Sequence, residues 1–564
     1  QAHLVSLFEL YLPAVAAMMI KHDRAFPLLT LCTLSTLTAS AAGPSRPNFI
    51  IFQPDDQPFW DEWGPPPNPP GRAGKKTPSP GLPHMERIRS EGMSFSNAYV
   101  VSPACGTSRF ATMTGRYPSR SLSGRAKTTA KLPQANRTAM TIPNTNLQTS
   151  DCSDNLPSAL KAAGYKTGMA GKWHPSMDSS AKLAYTEQQS RVKACGFDWA
   201  DGLYLENFDM GHSSSSAFSH NMEWVTKTAV DFLDTLDALS SFACTKTPRG
   251  NLDQEPSVAG MTASTSCEDY RKTVLARSAA AKPMPPNEEQ VLGAIWTDDA
   301  LGALLSALEA KGMLDNTFVA VMMDHGIVSK TALFENGVRV SLMARYPPLL
   351  GKASTFGGLV TNLDLAKTVL ELSGATAGFG LDGVSFAQVV GAGQAMPNFW
   401  SDRCIFFEMD YDRSARCGCH KIIGLGAVAD STTFERAGTL GYSQNTVQVY
   451  KVCDESGGDN IDLVAVSSSA ATKTSLLEQL ACHDARTAPG ASPTYAACGL
   501  EFSTSPSSPS PSSPSPSSPS PSSPSPSSPS PPSSVAAASQ AASTLVVGVA
   551  TVAAATVLPF LSVW

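Results

Sequence analysis

The sequence predicts an α/β fold: a large central sheet, mixed but mostly parallel, sandwiched by helices and followed by a smaller C-terminal subdomain built on an antiparallel sheet. Three observations carry this expectation. The short β-branched apolar runs Phe49–Phe52 and Phe318–Met323 are each followed closely by a carboxylate, as buried strands of a parallel sheet are where they meet a site. Segments of helical pattern stand between them, Leu156–Ala163 and the run through Trp296, Asp299, Leu304 and Leu308. Finally, Ile405–Glu408, Ser414–Arg416 and His420–Ile423 read as short antiparallel strands packed by a helix. A chain of 564 residues with 42% hydrophobic content can bury one large core and a smaller one.

Residues 1–42 read as an N-terminal extension and signal peptide: basic Lys21–Arg24, apolar Phe26–Leu37, then the small residues Ala39-Ser40-Ala41. The first strand follows and ends at Asp55-Asp56. Adjacent carboxylates raise each other's pKa unless a cation lies between them, so this pair suggests a divalent ion. Residues 58–83, rich in Pro, Gly and Lys, read as a loop over the site, and a helix is expected from His84 to near Gly92. The strand Ser94–Val101 leads into the turn Cys105-Gly106-Thr107-Ser108-Arg109. A Cys four residues before an Arg, with a helix-compatible run after it, suits a nucleophile whose developing negative charge is met by a guanidinium.

Residues 119–150 are polar and read as an exposed excursion carrying one glycosylation sequon at Asn136. In Gly171-Lys172-Trp173-His174, Lys172 and His174 alternate on an extended segment, so both can face one pocket, the Lys as a point charge for an anion and the His as a proton carrier. A helix is expected around Trp224–Leu239, and residues 243–290 read as a poorly patterned insertion. The strand from Phe318 ends at Asp324-His325, and Lys330 and Glu335-Asn336-Gly337 follow.

These runs, in this order, resemble the type I sulfatases of the alkaline phosphatase superfamily over roughly residues 46–465. Phe95–Tyr99, Cys105–Arg109 and Thr114–Pro118 resemble the first signature, and Gly164-Tyr165-Lys166-Thr167 with Gly171–His174 the second. The resemblance implies that Cys105 is oxidised to formylglycine by a formylglycine-generating enzyme. It implies that Arg109, Lys172, His174 and Lys330 serve catalysis. One calcium ion would be held by Asp55, Asp56, Asp324 and His325, and the substrate would be a sulfated small molecule or polysaccharide. Two departures stand out: Thr107 occupies the Pro position of the first signature, and the run Phe242–Arg249 lacks the pocket His found there in many relatives. A phosphodiesterase of the same superfamily with an unmodified Cys105, or an inactive cell-wall or cell-surface binding module, are the alternatives.

The net charge of −6 offers no basic field for nucleic acid, and 12 Cys fit an oxidising compartment. With Cys32 in the leader and Cys105 committed to chemistry, the remaining cysteines are even in number; their pairing is not legible. The sulfatase-like domain is expected over 45–390 and the subdomain over 391–500, followed by a Ser/Pro stalk over 503–534. The unit Ser-Ser-Pro-Ser-Pro repeats from Ser507 to Pro531 and favours polyproline II, spanning roughly 75 Å at ~3.1 Å per residue. It resembles the hydroxyproline-rich stalks of algal and plant wall proteins. Residues 535–564 end in the apolar run Leu545–Trp564, a GPI signal or membrane anchor. Together these place the chain in the secretory pathway and outside the cell, in the wall or at the surface.

Overall fold

The computed structural model describes residues 46–55, 81–121, 152–173, 184–204, 221–235, 272–277, 279, 288–326, 330, 332–391, 396–409, 412–424, 447–453, 470–487 and 544–549. Asp56 and His174 lie outside them, as do the sequon, the stalk and the run Phe242–Arg249.

The elements, in chain order, begin with β1 (Asn48–Phe52), α1 (Pro83–Glu91), β2 (Met93–Tyr99), α2 (Cys105–Thr114), α3 (Leu156–Ala162), β3 (Lys166–Lys172), α4 (Tyr185–Ala194) and β4 (Trp199–Tyr204). After α5 (Asn221–Asp234) and α6 (Glu288–Ala310) come β5 (Thr317–Met322), α7 (Glu335–Val338), β6 (Leu342–Arg345), β7 (Ser354–Thr361) and α8 (Asn362–Ser373). The remainder is α9 (Asn398–Asp402), β8 (Cys404–Met409), β9 (Asp412–Cys417), β10 (His420–Gly424), β11 (Val447–Lys451), α10 (Ala470–Thr487) and β12 (Thr544–Val549).

The expected mixed sheet is present, eight strands in the order β4-β3-β12-β1-β5-β6-β2-β7. Only β6 runs against its neighbours, β5 and β2. Every residue of β1 and β5 is buried, as the apolar runs Phe49–Phe52 and Phe318–Met322 require of central strands covered on both faces. α5 packs so close that a Cβ at Gly168 of β3 would come within 2.7 Å of the Phe232 ring. The four-stranded antiparallel sheet, β11-β10-β9-β8, is separate. Its Phe406, Ile422 and Val449 bury against Leu476 and Leu480 of α10.

Buried polar contacts join the two sheets' surroundings. Glu408 of β8 accepts from the Ser119 backbone N–H (2.8 Å) and hydroxyl (2.7 Å), and lies 2.8 Å from His483 Nε2 on α10. Burial raises the Glu408 carboxyl, but His483, Arg413 and the Ser119 hydroxyl outweigh it and hold the group down at about 2. Glu335, opening α7, accepts from Tyr99 Oη (2.7 Å) and Lys421 Nζ (2.8 Å).

Disulfides join Cys152 to Cys195, Cys404 to Cys417, and Cys419 to Cys453. Among the described residues the free thiol is that of Cys105. Among them, too, no helix is long and apolar enough to cross a membrane. Part of the apolar tail, β12, lies in the central sheet, parallel to both β1 and β3. The run Leu545-Val546-Val547 suits a sheet strand as well as it suits an anchor, because both settings select apolar side chains.

Candidate active site

The site lies where several parallel strands end, the edge at which open α/β sheets form pockets. Asp55 follows β1, Asp324 and His325 follow β5, Lys172 ends β3, and α2 begins at Cys105 beside them. Of the residues expected there, Asp55, Cys105, Arg109, Lys172, Asp324 and His325 converge, all buried. Lys330 is half-buried on the connection from β5 to α7.

α2 starts without a side-chain cap; the Cys105, Gly106 and Thr107 amides precede the first helical bond, Ser108 N–H to Ala104 O at 2.9 Å. One turn on from Cys105, Arg109 sends Nη2 to Asp324 Oδ2 (3.1 Å) and within 3.7 Å of Asp55 Oδ1, while Nη1 donates to the Lys172 carbonyl (3.3 Å). The helix ends at Gly115, whose φ of 63° is left-handed and suits Gly.

Cys105 Sγ lies 3.1 Å from His325 Nε2 and 3.4 Å from Asp55 Oδ1. His325 Nδ1 lies 3.1 Å from the Gly326 carbonyl, which only accepts, so Nδ1 carries a proton and Nε2 faces the thiol. Lys172 Nζ donates to Asp55 Oδ2 at 2.7 Å.

These neighbours set the charges. Burial and Asp55 push the Cys105 thiol up, but His325 and Lys172 outweigh them and its pKa falls below the ordinary value. Burial raises the Asp55 carboxyl, yet Lys172, a hydrogen bond with Asp324, Arg109 and His325 hold it well below the usual range. Asp324 goes the other way, lifted well above that range by burial and by the charge of Asp55. Lys172 is raised, Asp55 and Cys105 outweighing the desolvation of its ammonium. Two buried carboxylates brought together at one point form a site that a divalent cation suits, and hard oxygen donors fit calcium.

One support escaped the sequence. Asn362, at the start of α8, accepts from the Val101 N–H (3.2 Å) and donates to Ser108 O (3.1 Å) and Thr112 Oγ1 (3.2 Å), fixing the first turns of α2 from a distant part of the chain. Its only trace in the sequence is a polar residue opening an apolar helix.

The family model of the sulfatases matches residues 47–375, more than half of the chain. The chain belongs to the sulfatase family. This sulfatase-family chain is 24% identical over 376 residues to the ulvan-active sulfatase of Formosa agariphila, covering 62% of this chain and 65% of that one. It is 27% identical over 386 residues to the N-acetylgalactosamine-6-sulfatase of Rattus norvegicus, covering 61% and 66%. The match thus spans just under two thirds of these relatives' own lengths. A structure solved in work on glycosaminoglycan metabolism by Bacteroides thetaiotaomicron superposes with a TM-score of 0.51 at 16% identity, covering 78% of this chain and all of that one, a likeness of fold.

Proposed function

We propose that this sulfatase-family chain hydrolyses sulfate esters, and that the ester is a carbohydrate sulfate, as the names of the ulvan and N-acetylgalactosamine relatives suggest. The observation that carries the reading is the seat of Cys105: first residue of α2, in contact with Asp55 and His325, with the Arg109 guanidinium one turn away against both Asp55 and Asp324.

In this reading residue 105 works as formylglycine, made by a maturation enzyme that uses dioxygen and removes the sulfur. As an aldehyde hydrate it supplies one hydroxyl to attack sulfur and a second that lets sulfate leave, so turnover needs no water at sulfur. Arg109 holds that hydrate and Lys172 neutralises sulfate oxygens, both already buried beside Asp55 before substrate arrives. His174 and Lys330 complete the set by resemblance, in proton transfer and anion binding. Asp55, Asp324 and His325, with Asp56, would hold calcium, which polarises nucleophile and ester together. His325, with its proton on Nδ1, offers that ion a lone pair.

The disulfides among the described residues support an export route, with the stalk holding the enzyme near a sulfated wall. The test is the mass of the peptide carrying Cys105, from protein purified out of its own source. The expected result is a peptide lighter than its thiol form, having lost hydrogen sulfide and gained one oxygen atom, together with hydrolysis of an aryl sulfate that Cys105→Ala abolishes. An unmodified thiol in every molecule sinks the formylglycine mechanism and turns attention to phosphate esters.

A further inference from the structure

Before oxidation, the same four groups present a different set of donor atoms. Cys105 Sγ, His325 Nε2 and one carboxylate oxygen each from Asp55 and Asp324 all lie within 4.8 Å of one another. The separations are 3.1 Å from Sγ to Nε2, 3.4 Å from Sγ to Asp55 Oδ1, and 3.7 and 3.8 Å from Nε2 to Asp324 Oδ2 and Asp55 Oδ1. Four donors around a tetrahedral ion at zinc-type bond lengths stand roughly 3.4–3.6 Å apart, so the cluster needs little movement to close on such an ion.

Two further features fit. The bond from His325 Nδ1–H to the Gly326 carbonyl is the support a metal-bound imidazole uses to fix its tautomer and aim the other nitrogen. The Asp55 carboxylate is divided: Oδ2 takes Lys172 Nζ at 2.7 Å, while Oδ1 lies 3.4 Å from the sulfur and 3.7 Å from Arg109 Nη2, which also donates to Asp324 Oδ2 at 3.1 Å, so an ion entering the cluster would compete with this guanidinium for both oxygens. Calcium, by contrast, asks for six to eight oxygens and gains little from a thiol.

We propose that while residue 105 is still a cysteine this cluster is a site for a thiophilic divalent cation of the zinc class, bound by Cys105, His325, Asp55 and Asp324. On binding, the sulfur–metal bond forms and the thiol proton leaves to solvent. The metal preference after maturation rests on the sulfatase reading: exchanging sulfur for oxygen at residue 105 removes the soft donor and turns the same cluster toward a hard cation. Precursor and mature chain would then select different metals with the same backbone.

The experiment uses the full chain with Cys105 verified as a thiol by intact mass, freed of metal, and titrated with Co2+ as the probe. The expected result is a near-ultraviolet sulfur-to-cobalt charge-transfer band with visible bands of a four-coordinate ion, abolished by one equivalent of Zn2+ and untouched by a large excess of Ca2+. Cys105→Ser should lose the charge-transfer band, and His325→Ala should weaken binding at least tenfold. Metal-free thermal unfolding of each variant shows that it is folded. No band in the folded thiol form, a band that survives Cys105→Ser, or displacement by Ca2+ as readily as by Zn2+ overturns the proposal. Aldehyde formation is read separately by peptide mass. An aldehyde in the native protein with no cobalt band in the thiol form refutes the metal site alone, whereas the band without any aldehyde refutes the sulfatase mechanism alone.

Discussion

Lys172 Nζ and Asp55 Oδ2 form an ion pair at 2.7 Å with both side chains almost wholly buried, the Lys 2% exposed and the Asp 0%. A pair this enclosed is held by its geometry, and removing one member leaves the other charge without its strongest partner. Lys172→Met, which keeps the volume and drops the charge, should cost about 3–5 kcal/mol of stability unless Asp55 takes up a proton. Turnover of an aryl sulfate should fall at least ~100-fold, since the ammonium is also the group that meets the sulfate oxygens. Lys172→Arg should restore part of the stability but little of kcat, because a planar fork cannot replace a point charge at this depth. Thermal unfolding and kcat/KM on the two variants check this; a Met variant with near-native turnover refutes the role.

The Thr107 hydroxyl sits 2.6 Å from Ser102 Oγ and donates to the Ala104 carbonyl at 3.0 Å. Thr107 is the third residue of α2 and lies before its first helical bond, so its N–H is not part of the helical ladder and a Pro is tolerated there. Thr107→Pro, which restores the family's usual residue, should therefore cost no more than about 1–2 kcal/mol, the value of the two hydroxyl contacts. The aldehyde fraction at residue 105, read by peptide mass, should equal or exceed that of the native chain. A fall would show that the maturation enzyme reads Thr107 itself.

Asp298 on α6 accepts the His84 and Met85 backbone N–H groups (3.3 and 2.7 Å) at the start of α1, beside His84, Asp299 and Arg277. Burial is the largest influence on its carboxyl, and with the neighbouring Asp299 it outweighs the two amides and Arg277 and raises the group to about 7 from 3.8. The folded chain therefore holds this proton more tightly than the unfolded chain does. The stability it contributes is complete below 3.8 and is lost as pH rises through about 7, on the order of 2–4 kcal/mol across the window. Asp298→Asn keeps one acceptor and cannot ionise. Melting curves from about pH 5 to about pH 8 should show the native chain losing stability while the Asn variant stays flatter; equal slopes refute the assignment.

Asp55, Cys105 and Asp324 were legible because a buried strand leaves few places for a carboxylate other than its end, and because a Cys and an Arg one helical turn apart must share a face. Asn362 was not, since its hydrogen bonds to Ser108 and Thr112 join segments about 250 residues apart and no local pattern marks them. Asp298 was hidden for the same reason: on its own helix it reads as one of two solvated acids, and only packing of α1 makes it a cap. Disulfide partners are likewise a matter of which loops meet, so an even count of cysteines supported bridges without naming them.

The apolar tail is the sharpest case, because hydropathy does not distinguish an anchor from a central strand. β12 pairs Phe49–Phe52 with Leu545–Gly548 on one side and Lys166–Gly171 with Thr544–Val549 on the other. Removing it would leave the facing edges of β1 and β3 unpaired in the middle of the sheet, next to the strand ends that carry Asp55 and Lys172. With each lost backbone bond worth about 0.5–1.5 kcal/mol, the ladders on both sides amount to several kcal/mol. A chain cut within the stalk, after Pro532, should melt well below the full chain and lose turnover as Asp55 and Lys172 drift apart. Adding the 544–549 peptide back should raise the melting temperature if the slot is open. The competing role as a cleaved anchor signal makes the opposite forecast: the native protein would end before Thr544, and the truncated chain would match it in both melting temperature and activity. C-terminal peptide mapping of the native protein beside the two melting curves separates them.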